Sequence, residues 1–235
     1  PEVIVPEMPE DPVEYVRCLT ELNLFETTTY SGLDADRTEL YRVEAQRKLS
    51  EKQFTNPEDY LKSLEMKMVC KHFDTFYLGR IAQLLQRSNQ FNLLTRRFTE
   101  AQCESFMRDE KNWLPIYLIL RDKYGDNGLI SVVIARFEPA TMIIEEWVMS
   151  CRVLARGVEE YTMNTVFEHA RHRGAKTVKA RYEPTAKNGM VKDFFGRFGF
   201  RKVNESSDGA TDWELRADEY QPQTHFIQTE TMETI

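Results

Sequence analysis

Trp147-Val148-Met149-Ser150-Cys151-Arg152-Val153-Leu154-Ala155-Arg156-Gly157-Val158 is the stretch whose reading decides the fold. Its first residues end an apolar run over 141–150 that reads as a strand. Beyond Gly157, Met163, Val166, Phe167 and Ala170 recur at i, i+3, i+4 and i+7, the period of an amphipathic helix, and Gly174 supplies its stop. A loop whose backbone amides feed a helix N-terminus can hold an anion, because free N–H groups and the helix dipole point at it. Arg152 and Arg156 add positive charge, and Gly157 lets the backbone approach a ligand closely. The same local sequence also fits an ordinary strand-to-helix turn.

Working outward, residues 178–182 read as another strand, so strand, helix and strand form a crossover. A short helix over 188–198 and strands over 200–203 and 211–215 follow. Upstream, strands over 115–121 and 129–137 flank Gly125-Asp126-Asn127-Gly128, which is hairpin chemistry, and Glu138-Pro139 turns into the strand over 141–150. Short connections predict an antiparallel meander. Thr99-Glu100-Ala101-Gln102 is a capping box between Phe98 and Cys103. Residues 74–87 read as a helix and 66–70 as an alternating strand. The first third reads as helical, with a start at Asp11-Pro12-Val13-Glu14, a stripe through Tyr15, Cys18, Leu19 and Leu22, and a mostly polar helix over 34–53. From 219 the sequence turns polar and threonine-rich, the composition of an unstructured tail.

Composition bounds the rest. The 235 residues suit one large domain or one domain and a piece, and 41% hydrophobic with 29% charged residues is an ordinary globular balance. A net charge of −7 disfavours a nucleic-acid coat protein. Cys18, Cys70, Cys103 and Cys151 lie far apart with no CxxC pair, so neither a zinc knuckle nor a disulfide scaffold is expected, and a reducing cytoplasm is the simplest compartment. No apolar run approaches the roughly 18 residues of a membrane span. His169 and His172 sit three apart on one helix, yet no Cys or carboxylate cluster completes a metal site, so no metal is expected. The chain opens without Met, inside what reads as a strand at Val3-Ile4-Val5, and is expected to be a piece of something longer.

The order of elements resembles the GNAT acyltransferase fold, an α/β architecture with a mixed, mostly antiparallel sheet flanked by helices. Arg152-Val153-Leu154-Ala155-Arg156-Gly157 resembles that family's pyrophosphate loop, with Ala155 where the family has Gly. The run Asn188-Gly189-Met190-Val191-Lys192-Asp193-Phe194-Phe195-Gly196-Arg197-Phe198-Gly199-Phe200 resembles its closing motif, in which Asn meets the CoA arm. The resemblance implies CoA or a carrier-bound phosphopantetheine as cofactor. It would be held by Arg152, Val153, Leu154, Ala155, Arg156, Gly157, Val158 and Asn188, its pantetheine lying where the strands over 141–150 and 178–182 splay apart.

A closer resemblance covers most of the chain. Ser88-Asn89-Gln90-Phe91-Asn92-Leu93-Leu94-Thr95-Arg96-Arg97-Phe98-Thr99-Glu100 is similar to a box of FkbH-like proteins. Asp126-Asn127-Gly128-Leu129-Ile130, Met149-Ser150-Cys151-Arg152-Val153-Leu154, Tyr182-Glu183-Pro184-Thr185-Ala186-Lys187-Asn188, Leu24-Phe25-Glu26 and Arg37-Thr38-Glu39-Leu40-Tyr41 match further blocks. In that family a HAD-type phosphatase domain precedes the GNAT-like domain, and a glyceryl group is loaded onto an acyl carrier protein. The resemblance implies a remnant of the HAD-type domain and a linker over 1–55, the GNAT-like domain over 56–218 and a polar tail over 219–235. The carrier protein and the HAD-type domain are its implied partners. Asp34-Ala35-Asp36 does not follow an apolar strand, so it reads as a helix N-terminus rather than a phosphatase nucleophile.

Acyl transfer needs a base for the nucleophile and an acid for the leaving thiolate. Glu145 and Glu146, consecutive in a strand, are expected on opposite faces, so at most one reaches the cleft. Tyr182, at a strand end, can protonate a thiolate or simply fill the core. Cys151, near a helix N-terminus and Arg152, is a candidate acyl acceptor or a small buried hydrophobe. Asn89, Gln90, Asn92, Thr95, Arg96 and Arg97 form a box that either binds an acyl group, a phosphate or a carrier surface, or ties a helix to the sheet.

Overall fold

The computed structural model describes residues 9–21 and 32–230, with the side chains of 21 and 32–41 outside that description. The readings at Val3-Ile4-Val5, Leu22 and Leu24-Phe25-Glu26, and the side chains of the Asp34–Tyr41 stretch, therefore fall outside the described residues. The chain divides into two compact units, residues 1–45 and 46–235.

In the first unit the Asp11 carboxylate accepts from the Val13 N–H at 3.0 Å and Pro12 starts a 3-10 turn. Helix α1 (Tyr15–Glu21) continues it. Helix α2 spans Gly32–Glu51.

The second unit is built on one sheet. Its elements are α3 (Pro57–Ser63), β1 (Lys67–His72), α4 (Leu78–Arg87), β2 (Phe91–Asn92), α5 (Glu100–Arg108), β3 (Trp113–Asp122), β4 (Gly125–Glu138), β5 (Thr141–Met149), α6 (Val158–His172), β6 (Thr177–Tyr182), α7 (Phe194–Arg197), β7 (Arg201–Glu205), β8 (Thr211–Arg216) and β9 (Gln228–Thr229). Strand order is β7-β8-β6-β5-β4-β3-β1-β9, with β2 added on β5. The β3–β4–β5 meander is antiparallel, and α6 carries the chain across to β6, which pairs with β5 in parallel. This is the GNAT-like α/β fold, a mixed and mostly antiparallel open sheet flanked by helices.

Local chemistry explains the elements. Thr99 and Gln102 form the expected capping box of α5. Gly157 takes φ +84° to start α6 and Gly174 takes φ +73° to end it. One sheet face buries Met142, Ile144, Trp147 and Met149 against α6, α7 and α3. The other buries Val132, Ile134 and Val148 against α4 and α5. These two apolar layers, on opposite faces of the same strands, are the core.

Residues 219–230, read from the sequence as a tail without structure, are instead tied down. Tyr220 stacks on Phe167 with ring centroids 3.8 Å apart. The Asn164 carboxamide accepts from the Tyr220 hydroxyl and exchanges hydrogen bonds with the Gln223 backbone, Ile227 is buried, and β9 pairs in parallel with the β1 edge. A few aromatic and aliphatic anchors outweigh the polar composition between them.

Candidate functional site

The β5–β6 ladder runs from Thr141/Thr177 to Ile144/Ala180. Beyond it the two strands part, as the resemblance implies, but the opening is filled by the chain itself. Phe91 and Asn92 pair with Met149 and Val148 of β5. The Leu93 N–H donates to the Trp147 carbonyl at 3.4 Å, and the Leu93 carbonyl accepts from the Glu183 N–H at 2.9 Å. Residues 91–94 are all buried. The expectation of a pantetheine arm between these strands is corrected on this point: both edges already have a backbone partner.

Asn188 is turned to the same task. Its side-chain N–H groups donate to the Asn92 carbonyl at 2.9 Å and the Glu183 carbonyl at 2.8 Å. Its oxygen accepts from the Thr185 N–H at 2.7 Å and the Tyr182 hydroxyl at 3.2 Å. Both donors and both lone pairs are used, and the residue is fully buried, so this amide has no capacity left for a cofactor. Tyr182, 2% exposed, is core rather than rim, and burial, then the Asp193 charge, raise its phenol pKa.

The loop before α6 is also closed from within. The Glu159 carboxylate, itself buried, accepts from the Ala155 N–H at 3.2 Å. Burial raises its pKa, and a carboxylate there repels a diphosphate. A Cβ on Gly157 would lie 3.3 Å from Cβ of His225, so residues of the 219–230 segment cover that glycine. Arg156, expected to face an anion, is buried with its guanidinium 3.7 Å from Asp122, which Arg47 clamps at 2.8 and 3.0 Å. Val153 and Val158 are core residues and Leu154 packs against the core. Arg152 donates to the Ser150 hydroxyl at 3.3 Å. Ala155 is exposed with φ +59°, the conformation that a glycine would take without strain.

Glu145 and Glu146 correct another expectation. The β4–β5 register slips between Ile134 and Ala135, so Ile134 pairs with Glu146 but Ala135 pairs with Ile144. Glu145 is the extra residue of this bulge, and both carboxylates therefore reach the same face. Arg96 touches both: its guanidinium pairs with Glu145 and its backbone N–H donates to Glu146 at 2.7 Å. Glu145 also accepts from Arg136 at 3.0 Å. Glu146 is fully buried under residues 94–96, accepting from the N–H groups of Leu94 and Trp147 as well. Desolvation lifts its pKa to about 7 against those bonds.

Open space lies at the end of β5. A cleft of about 740 Å³ is walled by Arg87, Ser88, Asn89, Gln90, Cys151 and Lys187, among others. The Cys151 thiol side chain is exposed there. A neighbouring cleft of about 420 Å³ shares Asn89, Ala186 and Lys187 and adds Thr95, Arg97 and Thr185. Of the six box residues, Asn89, Gln90, Thr95 and Arg97 line these clefts. Asn92 faces inward, its side chain bonded to the Ser88 carbonyl and the Thr95 N–H, and Arg96 belongs to the carboxylate pair. Arg97 doubles as a cap, donating to the carbonyls of Leu85, Gln86 and Ser88 at the end of α4. Sequence reading missed Arg87 and Lys187. Lys187 stands inside a quoted block and Arg87 directly precedes the box, but only the fold turns both toward Cys151.

No group of three or more His, Cys, Asp or Glu among the described residues is arranged to hold a metal. No helix among them is long and apolar enough to cross a membrane.

No family model and no curated protein matches the chain. Solved structures do. A domain from Methanocaldococcus jannaschii matches with TM-score 0.50 at 15% identity, over 64% of this chain and 99% of that one. The ribosomal-protein-S18-alanine N-acetyltransferase of Escherichia coli matches with TM-score 0.49 at 14% identity, over 64% and 94%. The spermidine N-acetyltransferase of Vibrio cholerae, solved with CoA and spermine, matches with TM-score 0.49 at 8% identity, over 65% and 97%. At these identities the likeness is one of fold, and the chemistry has to be argued from the residues of this chain.

Proposed function

We propose that this chain is an acyltransferase domain that passes an acyl group through the Cys151 thiol to or from a phosphopantetheine thiol, carried by CoA or by an acyl carrier protein. The observation that carries it is the exposed Cys151 on the wall of a large cleft of mixed polar and apolar lining. The FkbH-like resemblance supplies the finer reading: a glyceryl or related acyl group, a carrier protein as acceptor and a HAD-type domain as partner; the scattered cysteines suit a reducing cytoplasm in which the thiol stays free.

The Cys151 thiolate attacks the acyl carbonyl of a thioester or acyl phosphate, and the carbon–sulfur bond forms as the pantetheine thiolate or phosphate leaves. A second thiolate then attacks the Cys151 thioester and releases Cys151. The open cleft lets water take the thiol proton, and Glu145, Glu146 and Tyr182 serve as structural groups.

Incubation with acyl-CoA or an acyl-charged carrier, followed by intact-mass and peptide analysis, tests this. A hydroxylamine-labile adduct on Cys151, absent from Cys151→Ser, is expected. Transfer that persists in Cys151→Ser would overturn it. The filled strand gap favours a second reading, a docking module for a carrier protein, which predicts carrier binding with neither adduct nor turnover. An amine acceptor in place of the second thiol would make the chain an N-acetyltransferase, which an amine panel with acetyl-CoA separates.

A further inference from the structure

The chain carries seven more acidic than basic charges, yet the two neighbouring clefts at the end of β5, which share Asn89, Ala186 and Lys187, have no carboxylate among their lining residues. Arg87, Arg97 and Lys187 line them, with the amides of Asn89 and Gln90 and the hydroxyls of Thr95 and Thr185 between. Arg97 is held in place by four acceptors, including Asn89, so its charge is a fixed part of the wall. One end of this groove is Cys151. The other is the Thr95–Thr185 end, where Ala186 and Lys187 form the rim shared by both clefts. Meanwhile the strand gap is closed by residues 91–94, and the Glu159 carboxylate sits at the loop before α6. An arm that reaches Cys151 along these clefts therefore follows a polar route, and that route is cationic.

We infer that this outer groove is a binding site for an extended phosphate-bearing thiol, entering at the Thr95–Thr185 end, passing Ala186 and presenting its sulfur to Cys151, with Arg87, Arg97 and Lys187 receiving its phosphate. The inference deepens the proposed function by giving the thiol a path outside the sheet. It rests on that reading for its biological use, though the binding itself does not require acyl transfer. The phosphopantetheine of CoA and that of a carrier protein share this chemistry.

Disulfide exchange tests the groove without any acyl step. The Cys151 thiolate attacks a disulfide R–S–S–R, forming a protein mixed disulfide and releasing RS⁻. The measured quantity is the ratio of the Cys151 rate with CoA disulfide to that with 2-hydroxyethyl disulfide, which cancels the intrinsic reactivity of the thiol. The ratio is expected to exceed about ten at low salt, as for an electrostatically focused cleft, and to fall in high salt. Lys187→Glu with Arg87→Glu should bring it down about tenfold or more. Ala186→Trp, at an exposed position, should lower it without changing charge. A ratio near one, or one that Ala186→Trp leaves unaltered, overturns the groove. A holo-carrier activated as a disulfide at its own arm assigns the source: reaction faster than CoA disulfide points to the carrier, slower to CoA. If the ratios behave as expected but no acyl adduct forms on Cys151, the groove stands and the acyl-transfer reading falls.

Discussion

The Asn188 carboxamide donates to the Asn92 carbonyl at 2.9 Å across 96 residues of sequence. This single bond joins the segment that fills the strand gap to the turn after β6. It uses the asparagine that the GNAT resemblance assigns to a cofactor arm. The chain has put its own backbone where such an arm would lie.

Replacing Asn188 with Ala should therefore act on stability. It strands the buried carbonyl of Asn92, the half-buried carbonyl of Glu183 and the Thr185 N–H, and should cost about 3 kcal/mol. Urea denaturation with and without saturating CoA measures it. The loss is expected to be the same in both, since the bond serves the fold.

Gly157→Val should destabilise by roughly 1–3 kcal/mol. The residue sits at φ +84°, and its Cβ would meet His225 at 3.3 Å. Thermal unfolding reads the effect, and His225→Gly in the same chain should recover only the contact part, leaving the backbone strain.

Glu146 gives a pH signature. Its folded pKa of about 7 lies above the usual 4.5, so the folded state holds a proton that the unfolded chain releases. That contribution is fully present below pH 4.5 and is lost as the pH rises through about 7. Glu146→Gln, which cannot ionise, should flatten the decline between those limits by roughly 2–4 kcal/mol. Denaturation midpoints of both proteins across the range provide the check. A parallel pair of curves would show that Glu146 is ionised in both states.

Among Cys70, Cys103 and Cys151, iodoacetamide at pH 8 should modify Cys151 first. Burial pushes Cys70 up to about 12 and Cys103 up to about 11, whereas Cys151 is exposed. Alkylation of the other two should await unfolding, and peptide mapping against time distinguishes the sites.

By itself the sequence determined most of the elements and their order, β2 and β9 excepted. Whereas the β3–β4 turn falls at Lys123-Tyr124 and residues 125–128, expected as its loop, pair within β4, the capping box at Thr99–Gln102, the 3.6-residue period of α6 and its Gly174 stop are local, each settled within a few residues. Their succession was enough to anticipate the β3–β4–β5 meander, the α6 crossover and hence the fold. The candidate site was half legible: Cys151, Asn89, Gln90, Thr95 and Arg97 do gather at the clefts, because a strand end and its following loop stay together.

Tertiary structure decided everything that depended on distant partners. Strict alternation put Glu145 and Glu146 on opposite faces, but a bulge opposite Ile134 and Ala135 brought them to one. The box at 88–100 read equally as a binding surface or as a loop tying a helix to the sheet; its centre is a buried strand, because the unpaired edge of β5 needs a hydrogen-bonding partner and Phe91, Leu93 and Leu94 need a core. Residues 219–230 lie ordered because Tyr220 and Ile227 find apolar sites on residues far upstream. Charge was the last such property: an overall −7 hides a groove without a carboxylate, since residue order sets the sum while only the fold sets which charges share a wall.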